Sequence, residues 1–284
     1  MIEVKKIGVI GSGTMGNGIA HVSALYGFQT VLLDLNEDIL NIAFNKIKSN
    51  LNRQLKKNKI KNDELVETLN RINMTTNYDG LYDCDVIIEA ASEDKVIKKK
   101  IFKSMDEFSR KETILASNTS SISITELSGF TKKPHKVIGM HFMNPVPIMR
   151  LVEIIKGEKT DSNTLNIIKD LSIKMNKTPI ECNDSPGFVS NRILMPMINE
   201  AIFCLMEGVG TEEAIDGVMH LGMAHPIGPL ALADLIGLDV CHDILEVLLT
   251  DFQDDKYAPC PLLTKMVKNG QLGKKTGKGF YKYN

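Results

Sequence analysis

The sequence predicts an α/β domain with a mainly parallel sheet, followed by an all-α domain. Short runs rich in Ile and Val alternate with amphipathic segments along the first part of the chain, which is typical of βαβ units. Beyond Asp184 the strand patterns almost vanish and helical patterns follow one another. We therefore divide the 284 residues into an α/β domain of residues 1–184 and a helical domain of residues 185–284.

Composition limits the classes of protein that this chain can belong to. A formal net charge of -1 gives no reason to expect a nucleic-acid or membrane partner. The sequence contains no apolar run of membrane-spanning length, and the opening MIEVKKIGVIG is typical of a strand rather than a secretion signal. The five cysteines form no C-x-x-C pair, which indicates reduced thiols. We expect a cytoplasmic protein.

The first predicted βαβ unit begins with the apolar strand KKIGVIG and a glycine-rich turn. Gly11, Gly13 and Gly16 have the spacing G-x-G-x-x-G, and a helical pattern follows that closes near Gly27. In this motif the first glycine permits the tight turn, the second lets the backbone approach a pyrophosphate, and the third allows close helix–strand packing. An ordinary turn between strand and helix is the alternative. The flanking elements favour a dinucleotide-binding, Rossmann-type domain.

The second predicted strand, QTVLLDLN, places an acidic residue where this motif needs one. Asp34 follows Gly16 at close to the roughly 20 residues at which a carboxylate binds the adenosine ribose. A carboxylate there repels a 2′-phosphate, so the sequence predicts NAD rather than NADP as the cofactor.

A helical excursion interrupts the alternation between residues 36 and 73. It contains the basic stretch NRQLKKNKIK. A solvated helix face explains this stretch without any ligand. The alternative is a surface that binds the phosphates of a large anionic substrate.

The next βαβ unit ends in a polar loop. CDVIIEA is predicted to be a buried strand ending at Glu89, and the helix after it has a predicted apolar side of Val96, Ile97, Ile101, Phe102 and Met105. TILASNTSS is the next strand, so residues 117–121 lie at a carboxyl end, where α/β sheets bind ligands. The alternative is that this loop only caps a helix, from Ser121 or Ser123.

The segment KVIGMHFMNPVPIMRLVEIIKG predicts two antiparallel strands that flank a turn. Proline cannot continue a central strand, so N-P-V-P is a connection. If the chain folds back about Pro147, His141 and Glu153 become cross-strand neighbours. Histidine can exchange a proton near neutral pH, and a carboxylate on its other nitrogen fixes its tautomer. A lone structural histidine is the alternative. Metal-ligand spacings are absent from the sequence, so we expect no metal.

The last hundred residues contain more apolar positions than one small helical domain buries comfortably. SPGFVSNRILMPMINEAIFCLMEG, TEEAIDGVMHLG, PLALADLIGLDVCHDILEVLL and CPLLTKMVKNG all have helical patterns. We therefore expect a subunit interface in this domain.

Five segments in their order along the chain resemble the 3-hydroxyacyl-CoA dehydrogenase family. They are GSGTMGNGIA, ASNTSSISI, HFMNPVPIMRLVEII, DSPGFVSNRIL and GKKTGKGFYKYN, and together they span nearly the whole sequence. The resemblance is strongest to stand-alone bacterial members that act on 3-hydroxybutyryl-CoA. It implies NAD-dependent interconversion of a short-chain 3-hydroxyacyl-CoA and its 3-oxo form, by a homodimer or higher homo-oligomer that associates through the helical domain.

The resemblance also implies roles for individual residues. His141 is then the catalytic acid/base and Glu153 orients it, while Ser120 and Asn191 contact the substrate. Lysines of the helical excursion bind the CoA phosphates, with Lys56 and Lys57 as candidates. The implied NAD-binding residues are Gly11, Ser12, Gly13, Thr14, Met15, Gly16, Asp34, Glu93, Lys98, Ser120, Asn144 and Lys275.

Two other functions remain open at this level. One is a dehydrogenase on the same scaffold for a hydroxy acid without CoA, such as L-gulonate. The other is a non-catalytic NAD(H)-binding protein. The basic stretch disfavours the first, and the set Ser120, His141, Asn144, Glu153 and Asn191 disfavours the second.

Overall fold

A computed structural model describes residues 3–283. They form two compact units, which divide between Ser185 and Pro186. The division lies one residue beyond the predicted one. The first unit is a sheet of eight strands in the order β3-β2-β1-β4-β5-β6-β7-β8. These strands are β1 (Lys6–Ile10), β2 (Gln29–Leu33), β3 (Ile72–Thr75), β4 (Val86–Glu89), β5 (Ile114–Ser117), β6 (Val137–Phe142), β7 (Leu151–Lys156) and β8 (Thr178–Asn183).

The helices of the first unit connect the strands in the expected alternation. They are α1 (Thr14–Leu25), α2 (Glu37–Lys56), α3 (Asn62–Asn70), α4 (Lys95–Glu107), α5 (Ile124–Ser128) and α6 (Ser162–Lys174). The predicted excursion after β2 is the pair α2 and α3. Ser123 caps α5 by accepting a hydrogen bond from the backbone N–H of Glu126, which is one of the two predicted caps.

The strand order 3-2-1-4-5-6 is that of the Rossmann fold, and the expected fold class is confirmed. The order reverses between β1 and β4, and the loops at their carboxyl ends therefore separate to form a crevice. Strands β1 to β6 are parallel, whereas β7 pairs antiparallel with β6. The core strands are almost continuously apolar because helices cover both faces of such a sheet.

The predicted apolar side of α4 was partly wrong. Ile101, Phe102 and Met105 are buried, but Val96 is 63% exposed and Ile97 is 42% exposed. The side chain that completes the buried face is Lys98, which is only 1% exposed. Residues 98, 101, 102 and 105 have the i, i+3, i+4, i+7 spacing of one helix face, so a lysine occupies a position that an apolar residue normally takes.

The second unit is helical, as expected. Its helices are α7 (Ser190–Met206), α8 (Glu212–Gly222), α9 (Pro229–Ile236), α10 (Leu238–Phe252) and α11 (Pro261–Lys268). They surround an apolar core of their own, to which Ile198, Ile202, Leu230 and Leu245 contribute.

A buried carboxylate holds the C-terminal tail of this second unit. Asp234, on α9, is 1% exposed and accepts hydrogen bonds from the backbone N–H groups of Phe280 and Tyr281 and from the hydroxyl of Tyr283. A Cβ on Gly279 would lie 1.8 Å from the Oδ1 atom of Asp234, so only glycine fits there. These polar contacts hold the tail against α9, and Phe280 and Tyr281 also pack on the apolar core of this unit.

Candidate active site

The glycine loop between β1 and α1 has two glycines that the packing of the chain itself requires. Gly11 has a φ of +91°, and a Cβ there would lie 2.8 Å from the carbonyl oxygen of Ala90. A Cβ on Gly16 would lie 1.7 Å from the carbonyl oxygen of Gly11. These contacts explain the tight turn and the close approach of α1 to the loop.

Gly13 differs from the other two, because a Cβ there would meet nothing within 4 Å in the described chain. Gly13 is the N-cap of α1, and within residues 3–283 no side chain caps it and no acidic residue lies in the first turn. The first N–H groups of the helix therefore face an open surface, with the positive end of the helix dipole behind them. This arrangement fits a phosphate group of a dinucleotide.

The carboxylate of Asp34 is held by the glycine loop. Its Oδ2 atom accepts hydrogen bonds from the backbone N–H and the hydroxyl of Ser12, both at 2.6 Å, and its Oδ1 atom accepts one from the N–H of Leu35 at 2.7 Å. Oδ1 retains a lone pair for a ribose hydroxyl. Asp34 lies at the wall of a cavity of about 670 Å³, and this cavity is also lined by Gly11, Gly13, Thr14, Met15, Tyr78, Ala90 and Ile97.

At the carboxyl ends of β4 and β5, Glu93 organises the polar loop that contains Ser120. Its Oε1 atom accepts hydrogen bonds from the hydroxyl of Thr119 at 2.5 Å, the N–H of Ser120 at 2.8 Å, and the N–H and hydroxyl of Ser121, both at 3.0 Å. Although desolvation opposes ionisation, the charge of Lys98 and these donors hold the pKa of Glu93 below its usual value. Glu93 is therefore a carboxylate at neutral pH.

Lys98 joins this loop to the interior of the sheet. Its Nζ atom lies 3.4 Å from Oε2 of Glu93 and 2.6 Å from Oε1 of Glu89, which is fully buried at the end of β4. Sequence reasoning assigned no function to Glu89. The available signal was an acidic residue at the end of an otherwise apolar strand, together with a lysine on the apolar face of the following helix.

His141 and Glu153 are directly paired across β6 and β7, as the fold-back about Pro147 predicts. The Nδ1 atom of His141 lies 2.7 Å from Oε2 of Glu153, and both side chains are buried. Because an ionised carboxylate only accepts hydrogen bonds, Nδ1 carries the proton and Nε2 is the basic nitrogen of the neutral ring. Burial and the charge of Glu153 raise the pKa of the neighbouring Cys182 thiol. The pair has the chemistry of a general acid/base with an orienting partner.

Sequence models of two domains match this chain in succession. The 3-hydroxyacyl-CoA dehydrogenase NAD binding domain matches residues 6–185, and the 3-hydroxyacyl-CoA dehydrogenase C-terminal domain matches residues 187–283. The chain belongs to the 3-hydroxyacyl-CoA dehydrogenase family.

Relatives within the 3-hydroxyacyl-CoA dehydrogenase family match over the full length. The probable 3-hydroxybutyryl-CoA dehydrogenase of Deinococcus radiodurans is 52% identical, over 98% of this chain and 100% of its own. The 3-hydroxybutyryl-CoA dehydrogenase of Bradyrhizobium diazoefficiens is 51% identical, over 99% of this chain and 96% of its own. The crystal structure of (S)-3-hydroxybutyryl-CoA dehydrogenase from Ralstonia eutropha has a TM-score of 0.97 at 47% identity, over 99% of this chain and 100% of that one.

The family resemblance also implies roles for Asn144, Lys56 and Lys57. Asn144 is exposed and immediately precedes Pro145, in the connection between β6 and β7. Lys56 and Lys57 are exposed at the C-terminal end of α2, where Lys57 is the C-cap.

Two of the implied residues belong to the second unit. Asn191 is buried in the first turn of α7. Lys275 donates a hydrogen bond of 2.5 Å to Oδ2 of Asp239, beside Gly237. Across residues 3–283, no cluster of three or more His, Cys, Asp or Glu side chains is arranged to bind a metal ion. Over the same residues, no helix is both long and apolar enough to cross a bilayer.

Proposed function

We propose that this protein interconverts 3-hydroxybutyryl-CoA and acetoacetyl-CoA with NAD as its cofactor. The observation that carries the proposal is the buried 2.7 Å contact of His141 with Glu153 in a chain of the 3-hydroxyacyl-CoA dehydrogenase family. Relatives about 50% identical to this chain bear the name 3-hydroxybutyryl-CoA dehydrogenase, which supports the short acyl chain.

In this proposal His141 exchanges the proton of the substrate's 3-oxygen. During oxidation Nε2 accepts the hydroxyl proton, and during reduction the imidazolium returns it to the forming alkoxide. Glu153 keeps Nδ1 protonated, orients the ring and stabilises the imidazolium. Ser120 forms a hydrogen bond with the same oxygen. Asn191 positions the substrate, and Asn144 positions His141.

The glycine loop and its neighbours hold the cofactor in this proposal. The N–H groups at Gly13 bind the pyrophosphate, the free lone pair of Asp34 accepts from the adenosine ribose, and Ser12 holds that carboxylate in place. The bound cofactor supplies or accepts the hydride. The remaining cofactor-binding residues are Glu93, Lys98, Ser120, Asn144 and Lys275. Lys56 and Lys57 bind the phosphates of CoA.

We further propose that the protein associates with a second copy through its helical unit. A cavity of about 450 Å³ in this unit is lined almost entirely by apolar groups, including Met197, Ala201, Val209 and Val218. The side chains of Val209 and Leu221 are exposed by 72% and 84%. Such an apolar surface is typical of a subunit interface.

The five free cysteines also suit the reducing cytoplasm.

The experiment that tests the proposed function is an oxidation assay of NADH and NADPH. The substrates are acetoacetyl-CoA, free acetoacetate and a longer 3-oxoacyl-CoA, each with wild-type protein and with His141→Ala. We expect rapid turnover of NADH with acetoacetyl-CoA and a loss of at least ~10²-fold in the variant. Equal turnover of free acetoacetate contradicts the CoA assignment. Near-native turnover in His141→Ala contradicts the assigned acid/base.

A further inference from the structure

The carboxylate of Glu89 is fully buried and accepts hydrogen bonds from the donors around it. Oε1 accepts from the N–H of Ala91 at 2.7 Å and from Nζ of Lys98 at 2.6 Å, and Oε2 accepts from the hydroxyl of Ser117 at 2.6 Å. The hydroxyl of Ser117 in turn accepts from the N–H of Thr119, so its proton is available to Glu89. An ionised Glu89 accepts from all of these donors at once, and burial of a carboxylate without such donors is costly.

Lys98 is the only cation that either Glu89 or Glu93 contacts in the described part of the chain. The three side chains therefore contain two negative charges and one positive charge, a net charge of about one negative unit. Most of this group is shielded from water, because Glu89 and Lys98 are buried, so its field extends further than that of a surface charge. Burial and the charge of Glu89 raise the pKa of Tyr78, which lines the cofactor cavity.

The position of this group relative to the cofactor follows from the sheet. Asp34 directly follows β2 and lies at the wall of the cavity, where it suits the adenosine half of the cofactor. The pyrophosphate crosses the crevice between β1 and β4. The nicotinamide half then extends towards the carboxyl ends of β4 and β5. Glu89, Ser117 and the loop around Ser120 lie at those ends. The nicotinamide ring is positively charged in NAD⁺ and neutral in NADH.

We propose that Glu89, Lys98 and Glu93 form a negatively charged triad that favours binding of the oxidised cofactor, with Glu89 as the positioning residue that holds Lys98. This inference rests on the proposed use of NAD(H). Glu89 touches no reacting atom in this proposal. It acts by keeping the ammonium of Lys98 beside Glu93 and by setting the net charge beneath the nicotinamide half.

Glu89→Gln removes one negative charge and preserves the shape of the side chain. A glutamine oxygen can still accept from Ala91 and Lys98, and its amide can donate to the second lone pair of Ser117. The dissociation constants of NAD⁺ and NADH are measured by calorimetry on the intact protein without substrate. We expect the affinity for NAD⁺ to fall roughly tenfold and that for NADH to change less than about threefold.

Ser117→Ala is the matched control, since it removes a contact to the same carboxylate and leaves the charge unchanged. We expect it to affect NAD⁺ and NADH equally. The proposal is overturned if folded Glu89→Gln changes both dissociation constants by the same factor, or changes neither. If this variant does not fold, Glu93→Gln is measured instead, because it also removes one negative charge, from a side chain that is 39% exposed. A fall in the affinity for NAD⁺ relative to that for NADH supports the proposal, and an unchanged ratio of the two affinities overturns it.

The failure of this inference can be distinguished from failure of the proposed function. Wild-type protein that binds both cofactors but does not reduce acetoacetyl-CoA contradicts the function and leaves the binding test intact. Normal turnover together with an unchanged affinity ratio in Glu89→Gln contradicts the triad alone.

Discussion

His141 and Glu153 face each other at one register position of the β6–β7 pair, with Nδ1 and Oε2 2.7 Å apart. The neighbouring pairs are Met140 with Ile154 and Phe142 with Val152, all of them buried. These apolar pairs point to the opposite face of the sheet and anchor both strands there, so the register of the sheet places the side chains of the proposed acid/base pair next to each other.

Replacing Glu153 by glutamine tests the orienting role. Glu153→Gln preserves the volume but removes the charge that stabilises the imidazolium, and its amide group can impose the wrong tautomer on His141. We expect kcat with acetoacetyl-CoA to fall by roughly 10²- to 10⁴-fold while the KM for NADH changes little. Steady-state kinetics and circular dichroism are the measurements. Unchanged turnover in a folded variant is the outcome that contradicts an orienting role.

Asp34 is expected to determine the preference for NADH over NADPH. Asp34→Asn preserves an acceptor for Ser12 but removes the charge that repels a 2′-phosphate. The ratio of kcat/KM for NADPH to that for NADH should rise by about tenfold. Ser12→Ala is the control, because it retains the carboxylate and should leave this ratio near its native value. A native ratio in Asp34→Asn means that the discrimination arises elsewhere.

The tail of the helical unit should depend on Asp234 for its stability. Asp234→Ala leaves three donors, from Phe280, Tyr281 and Tyr283, without their shared acceptor. We expect a loss of about 2–4 kcal/mol in the free energy of unfolding of this unit, measured by urea denaturation, and faster proteolysis of the tail. Asp251→Ala changes an exposed carboxylate in the same unit and should cost less than ~0.5 kcal/mol. Equal effects of the two variants contradict the role of Asp234.

His21 should make the stability of the α/β unit dependent on pH. Burial, and then the charge of Lys177, lower the pKa of His21 from 6.5 to about 4. The unfolded chain binds a proton at His21 more readily than the folded chain does. The contribution of His21 to the free energy of unfolding is therefore complete above pH 6.5 and is lost as the pH falls towards 4. The loss is on the order of 3 kcal/mol.

Urea denaturation between pH 7 and 4 measures this dependence. His21→Leu lacks the titrating group and should show a shallower decline across the same interval. Parallel pH profiles for the variant and the wild type are incompatible with a depressed pKa at His21.

Local patterns were sufficient to predict most of the architecture. Alternating apolar runs and helical periodicity depend on neighbours a few residues apart, so β1, α1 and β2 around the glycine motif could be predicted from the sequence. The antiparallel pairing of His141 with Glu153 was also predictable, because Pro147 marks the centre of a short connection and register follows from it.

The sequence by itself thus determined the elements, the cofactor loop and the family. Only the tertiary structure decided that Lys98 is buried while Val96 and Ile97 are exposed, and that Lys98 lies between Glu89 and Glu93. The physical reason is that burial of a charge depends on partners contributed by other strands and loops. Helical periodicity assigns a lysine to the solvent, and only the sheet that brings a buried carboxylate within 2.6 Å makes the opposite arrangement stable.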